Sequence, residues 1–137
     1  MSLLKIFDIA GSAMVAQSQK MQMHASNLAN TDSLINKNGK LYPYIAKKAI
    51  LKYDNLDDTE LGGGVKIKEI INDTTPLKSI YDPQSPISDS NGFAKISNVN
   101  VITETISAIS ASRNYQANLE ILNTAKSMIM KTLSMGQ

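Results

Sequence analysis

Apolar residues recur at helical spacing through the first 30 positions of the chain. Between residues 2 and 30 there is no proline and only one glycine, Gly11. An apolar stripe advances there in alternating steps of four and three residues, the heptad spacing of a helix that packs against another helix. We therefore predict one long helix that ends near Asn30 or Asp32. The stripe consists of Leu3, Phe7, Ala10, Met14, Gln17, Met21, His24 and Leu28.

The last part of the chain, from about 99 to 133, has the same pattern and lacks both glycine and proline. Its stripe again alternates steps of four and three residues, so a second long helix is predicted. Asn98 or Asn100 is suited to cap its start, and Gly136 lies where helices commonly end. The stripe consists of Val101, Thr105, Ala108, Ser112, Tyr115, Leu119, Leu122, Lys126, Ile129 and Leu133.

The residues between the two helices are patterned for strands and turns. Apart from Gly11 and Gly136, every glycine and every proline of the chain lies in this part. Short runs of β-branched and aromatic residues, in places alternating with polar ones, are typical of half-buried strands. Strands are predicted at 44–53, 65–70, 77–81 and 93–96, with turns at 82–86 and 89–92.

The chain is therefore expected to have an α+β fold in three parts. Residues 1–33 form an N-terminal assembly helix, 34–98 a β-rich insert with long loops, and 99–137 a C-terminal assembly helix. A pair of helices buries only one side of each, and a small insert cannot cover the rest. We therefore expect the remaining apolar stripes of both helices to face partner chains. These stripes contain Ile6, Ile9, Ala13, Ala16, Lys20 and Met23, then Ile121, Ala125, Met128, Thr132 and Met135.

Composition argues against catalysis and against nucleic-acid binding. The formal net charge is only +2, and the lysines are spread along the chain. The absence of cysteine excludes disulfides and thiolate metal sites. His24 is the single histidine and lies on a helix stripe, so we expect a packed or hydrogen-bonded residue. We predict no enzyme activity, no catalytic, metal or cofactor site, no cofactor and no direct small-molecule substrate.

Two short motifs match ligand-binding loops only in part. The glycines at 62–64 precede a predicted strand and lack the Gly-Lys-Ser/Thr ending of a phosphate loop, so a flexible turn is predicted. Asp54, Asp57, Asp58 and Glu60 form an acidic cluster without the spacing of a calcium loop. Neither motif predicts a binding site.

Two segments resemble the axial proteins of the bacterial flagellum. Residues 25–33 read Ala-Ser-Asn-Leu-Ala-Asn-Thr-Asp-Ser, which is similar to a signature of flagellar rod and hook proteins. Residues 110–124 read Ser-Ala-Ser-Arg-Asn-Tyr-Gln-Ala-Asn-Leu-Glu-Ile-Leu-Asn-Thr and, with the opening residues 1–12, resemble the proximal rod members of this family. The resemblance continues through 81–86 and 92–101 and is loose between 33 and 61.

This resemblance implies a structural subunit of the flagellar basal-body rod, the drive shaft that crosses the periplasm and contains the export channel. In the family the two terminal helices pair as an antiparallel coiled coil that lines the tube. The implied partners are other copies, other rod proteins, the export apparatus and membrane-ring neighbours. Export is expected by the flagellar type III route, without a cleaved signal peptide. The residues expected at the assembly interface are Leu3, Phe7, Ala10, Met14, Met21, Asn27, Leu28, Asn30, Arg113, Tyr115, Gln116, Asn118, Leu119, Leu122, Asn123, Ile129 and Leu133.

The first helix also permits a different interpretation, as the amphipathic anchor of a peripheral membrane-surface binding protein. Such anchors usually have a strongly basic polar face, whereas this helix offers only Lys5 and Lys20. A weak similarity of 3–16 to a secretory signal is interrupted by the charge of Asp8. A small hydrolase is a further alternative, but the chain shows no nucleophile and base in a suitable arrangement.

Overall fold

Two long helices flank three two-stranded antiparallel sheets in a computed structural model, which describes residues 3–55 and 63–136. Side chains are not described at 3, 4 and 55. The predicted acidic cluster lies partly outside these residues, as does Gly62. The elements in chain order are α1 (Leu3–Ala29), β1 (Leu34–Lys37), β2 (Lys40–Pro43), β3 (Lys47–Asn55), β4 (Gly63–Asn72), β5 (Lys78–Tyr81), β6 (Phe93–Ile96) and α2 (Val101–Met135).

The helices α1 and α2 lie side by side and run antiparallel. Near the end of α1, His24 Nδ1 lies 2.6 Å from Oε2 of Glu104, in the first turn of α2. At the other end of the pair, Ile6 of α1 and Ala125 of α2 line the same groove. The α+β fold, with paired terminal helices and a β insert between them, is confirmed.

Only part of the predicted stripe of α2 lies on the side that packs on α1, because several of its members are exposed. Ala111 and Ala125 are buried, whereas Leu119 and Leu133, which the pattern placed on the same stripe as Leu122, are exposed. Small alanine side chains allow the two helix backbones to approach closely, so the contact is centred on them. The leucines on the neighbouring side of α2 are left in solvent.

The β3–β4 hairpin covers the side of α1 that α2 leaves open. The Val65 N–H of β4 donates a hydrogen bond of 3.1 Å to Ser12 Oγ on α1. Met23 lines a depression together with Ile67 of β4, and both Met23 and Ala16 are buried. At Met23 the second stripe of α1 is therefore covered by the insert of the same chain and not by a partner chain, whereas Ile6 at its start lines a groove with α2.

A bulge divides the β3–β4 hairpin into two parts. The register shifts between Ile50, which pairs with Glu69, and Leu51, which pairs with Ile67, so Lys68 is the extra residue. Val65 and Ile67 alternate with exposed residues as predicted, whereas Ile70 and Ile71 beyond the bulge are both exposed. An inserted residue moves the following side chains to the opposite face of the strand, so the predicted alternation ends at the bulge.

Sequence reasoning missed the β1–β2 hairpin. Its turn is Asn38-Gly39, with φ of 52° and 79°, the left-handed conformation that a tight two-residue hairpin turn requires. The predicted strand over 44–53 also begins later than expected, at Lys47. Tyr44 and Ala46 instead form a linker that packs with Val99 in a small buried cluster.

Asp73 fixes the chain where it leaves β4. Its Oδ1 accepts hydrogen bonds from the Thr75 N–H at 3.0 Å and the Thr75 hydroxyl at 2.8 Å. Lys48 Nζ lies 2.9 Å from the same oxygen. Hydrogen bonding from Lys48, followed by that from Thr75, lowers the pKa of Asp73 to about 2.

We expect this carboxylate to make stability depend on pH in the acid range. Because the pKa is lower in the folded chain, the contribution is complete above about pH 4 and is lost as the pH falls through about 2. Urea unfolding should show Asp73→Asn to be less stable than the parent chain at pH 6, with the difference shrinking on acidification. A difference that stays constant over this range would contradict the assignment.

Candidate assembly surface

Asn27 joins α1 to both the insert and α2. Its side chain is 0% exposed. Nδ2 donates to the Lys47 carbonyl at 2.9 Å and to Glu104 Oε2 at 3.0 Å. Oδ1 accepts from the Lys47 N–H at 2.9 Å and from the Tyr44 hydroxyl at 3.0 Å. A carboxamide offers two donors and two acceptor positions, so every one is used. We call these contacts the Asn27 network.

Glu104 extends the Asn27 network to His24. The Oε2 atom that accepts from Asn27 also lies 2.6 Å from His24 Nδ1, and both side chains are largely buried. The first turn of α2 is thereby fixed to the last turns of α1. His24 is a hydrogen-bonded residue of the interior, as predicted. The described residues contain no cluster that could hold a metal ion and no helix long and apolar enough to cross a membrane.

Two further asparagines direct the chain into α2. Asn98 Oδ1 accepts from the Ala46 N–H at 2.8 Å, and its Nδ2 donates to the Thr75 carbonyl at 2.9 Å. Asn100 caps α2, with Oδ1 accepting from the Ile102 N–H at 3.1 Å. Of the two predicted capping residues, Asn100 is the cap and Asn98 ties the insert to the helix start.

The remaining polar residues of the first signature close the C-terminal end of α1. Asn30 Nδ2 donates to the Ser26 carbonyl at 2.8 Å. The Thr31 hydroxyl lies 3.1 Å from the Asn27 carbonyl and 3.0 Å from that of Leu28. These bonds satisfy carbonyls that a helix end leaves without partners. The first signature therefore makes its polar contacts within the chain.

The second signature is different, because most of its polar side chains face solvent. Arg113, Gln116 and Asn123 are exposed on α2. Asn118 is half-buried and donates only to its own helix, to the Asn114 carbonyl at 2.9 Å. These side chains are available to groups outside the chain.

Apolar side chains also crowd the uncovered side of α2. Ile102, Ile106 and Ile109 are 72%, 62% and 52% exposed, and their spacing of four and three places them on one side of the helix. The predicted stripes did not include these three, although the same spacing rule identifies them. Other exposed apolar residues of α2 lie on both flanks of this stripe, and together with it we call them the α2 apolar surface. Its members are Ile102, Ile106, Ile109, Leu119, Ile121, Met128, Met130, Leu133 and Met135.

The residues predicted at the assembly interface fall into three groups. Buried within the chain are Ala10 and Asn27. Half-buried are Phe7, Met14, Met21, Leu28, Asn30, Tyr115, Asn118, Leu122 and Ile129. Exposed are Arg113, Gln116, Leu119, Asn123 and Leu133. The side chain of Leu3 lies outside the described part. The exposed group presents most of its surface to other chains, the half-buried group part of it, and the buried pair almost none.

Comparison with known proteins gives matches over both helices. Residues 7–33 match the family described as flagella basal body rod protein, and 90–135 match flagellar basal body rod FlgEFG protein C-terminal. The flagellar basal-body rod protein FlgC of Buchnera aphidicola subsp. Schizaphis graminum is 61% identical over 100% of both chains. That of Salmonella typhimurium is 48% identical, again over 100% of both chains.

The chain belongs to the FlgC family of flagellar basal-body rod proteins. The predicted family is thereby confirmed. The FlgC family is structural, so the chain is a structural rod subunit and not an enzyme, as predicted. The alternative of a peripheral membrane-surface protein is not supported. The two matched segments contain the side chains of Asn27 and Glu104 and the whole α2 apolar surface, whereas β1 to β5 lie outside them.

We expect Asn27→Ala to destabilise the fold by about 1–3 kcal/mol, because it leaves buried partners such as Glu104 and Tyr44 without hydrogen bonds. Urea unfolding of the purified chain measures this difference. Gln116→Ala is the matched control on exposed α2, and its effect should stay within about 0.5 kcal/mol. Equal losses in the two variants would show that the Asn27 network does not hold the fold together.

Proposed function

We propose that the chain builds the proximal part of the rod by packing its α2 apolar surface against other copies and other rod proteins. The observation that carries this proposal is the exposed stripe of Ile102, Ile106 and Ile109 on a helix whose opposite side is closed by α1. Exposed apolar patches of this kind mark interfaces. FlgC family membership supports a rod as the assembly in which the interface is used.

The size of the stripe favours assembly over simple pairing. Burying a large apolar side chain fully is worth about 1.5–3 kcal/mol, and these three isoleucines are already partly covered. The stripe alone then supplies roughly 3–6 kcal/mol, against an association cost of about 4–15 kcal/mol. An isolated pair is therefore weak, whereas a subunit that meets several neighbours gains enough to stay bound.

The polar residues of the second signature fit a role in selecting the partner and the register. Arg113, Gln116 and Asn123 lie exposed on the same helix as the α2 apolar surface. If a neighbouring chain covers them, each requires a hydrogen-bonding group at a matching position, because a buried polar group without a partner costs about 1–3 kcal/mol. Wrong neighbours are excluded by this requirement.

The same proposal places the chain in an export channel and drive shaft. Copies that contact one another through different surfaces form an open helical array wherever the rotation between them does not close into a ring. The Asn27 network joins both helices and the insert into one body, which suits a shaft that transmits torque. In this arrangement the rod crosses the periplasm, the subunits arrive by the flagellar type III route, and the export apparatus and membrane ring are further neighbours.

Substitutions at two leucines of α2, three residues apart, test assembly and folding separately. Leu119 is exposed, whereas Leu122 is half-buried and lines a groove with Gly11 and Met14 of α1. We expect Leu119→Asp to change the free energy of unfolding by less than about 1 kcal/mol while abolishing rods and swimming. Leu122→Asp should destabilise the chain itself by about 2 kcal/mol or more, because it buries an unpaired charge.

The measurements are urea unfolding of each purified variant, swimming in soft agar and electron microscopy of isolated basal bodies. Leu119→Met is the matched control, since it keeps an apolar side chain of similar volume, and it should form normal rods. Rods of normal number and length from Leu119→Asp would show that the part of the α2 apolar surface around Leu119 is not an assembly surface.

A further inference from the structure

A groove of about 760 Å³ opens between the β1–β2 hairpin and the start of β3. Ile35, Tyr42 and Ile45 give it apolar walls, and all three are exposed to solvent in the single chain. No part of the Asn27 network needs these side chains. The groove thus presents apolar surface that the fold itself does not use.

The same groove is lined by cations. Lys37, Lys40 and Lys47 all line it, and no aspartate or glutamate does. Within 3–55 and 63–136, no carboxylate forms an ion pair with any of the three. A groove that combines apolar walls with unneutralised lysines fits a peptide segment that carries both carboxylates and apolar side chains.

The chain itself contains a segment of this chemistry. Residues 54–61 read Asp-Asn-Leu-Asp-Asp-Thr-Glu-Leu, so they hold four carboxylates and two leucines. These are four of the 12 acidic residues of the whole chain, which makes this the densest acidic run. At its start, Asp54 forms an ion pair with Lys66 at 2.6 Å.

The geometry of the β3–β4 hairpin prevents the segment from filling the groove of its own copy. The groove lies where Lys47 pairs with Asn72, and the segment joins the strands at the opposite end, where Asn55 pairs with Gly63. Nine residues of β3 separate the two ends, which is roughly 30 Å at 3.4 Å per residue. Seven linking residues with both ends fixed reach out only about 14 Å.

We propose that this groove receives the 54–61 segment of a second copy of the chain. The inference rests on the proposed self-assembly and assigns one of its contacts. We place the contact in a head-to-tail arrangement: the segment and the groove lie at opposite ends of one hairpin, so each copy both offers a segment and accepts one. Contacts of this type propagate along an open array. Exposed ion pairs are individually weak, so the leucines supply the affinity and the carboxylates set the orientation.

The absence of native cysteine makes this contact directly testable by crosslinking. Full-length Lys40→Cys and Asp58→Cys chains are mixed and treated with a short bismaleimide. We expect covalent heterodimers, several-fold more than from Lys78→Cys with Asp58→Cys, because Lys78 is exposed on β5 outside the groove. The yield should fall several-fold as salt is raised, since salt screens exposed charges.

Charge exchange provides the second arm of the test. Lys37→Glu in the groove copy should lower the heterodimer yield several-fold, and Asp57→Lys in the segment copy should restore it. Yields no higher than with Lys78→Cys, or no recovery on exchange, would overturn this inference. So would a crosslink from Lys40→Cys to a chain of different mass in isolated basal bodies. These outcomes do not test the proposed rod function, which Leu119→Asp tests separately.

Discussion

A carboxamide without access to water needs all of its hydrogen-bond partners inside the protein, and Asn27 satisfies that requirement with four bonds. Its partners come from two other parts of the chain: the insert, through the Lys47 backbone and the Tyr44 hydroxyl, and α2, through Glu104. The amide is satisfied only when α1, the insert and α2 are all in place. The relative positions of the three parts therefore depend on this one side chain.

That arrangement leaves the two helices in unequal surroundings. α1 is packed between α2 and the β3–β4 hairpin, and the hairpin contacts it mainly through β4. Among the described elements α2 packs mainly on α1, so Ile102, Ile106 and Ile109 remain in solvent. This chain thus closes its polar interior by itself and leaves apolar side chains of α2 in solvent. This division explains why one signature faces inward and the other outward.

Local pattern predicted both helices, because a heptad spacing needs no information from elsewhere in the chain. It also offered Asn98 and Asn100 as caps, of which Asn100 is the cap, whereas the antiparallel pairing of the helices was implied by the family resemblance. The β1–β2 hairpin was missed although Asn38-Gly39 is a strong hairpin turn, because the flanking residues are exposed on both faces and show no alternation.

Which element packs against each apolar stripe of the helices could not be predicted, because it depends on contacts between residues distant in the sequence. Ser12 meets Val65 across 53 positions, and His24 meets Glu104 across 80. Both stripes of α1 are apolar, so composition does not distinguish the side that faces α2 from the side that faces β4. Likewise, Ala111 and Ala125 are buried against α1 and Leu119 is not, because small side chains allow the two helix backbones to approach closely.

The central claim, that α2 turns an apolar side outward to meet neighbours, is tested most directly by cysteine accessibility. Single Ile106→Cys and Ala111→Cys chains are treated with a maleimide as isolated subunits and within isolated basal bodies. We expect Ile106→Cys to react rapidly in the isolated subunit and to be protected in the basal body, with Ala111→Cys protected in both. Equal reactivity of Ile106→Cys in the two states would contradict the account.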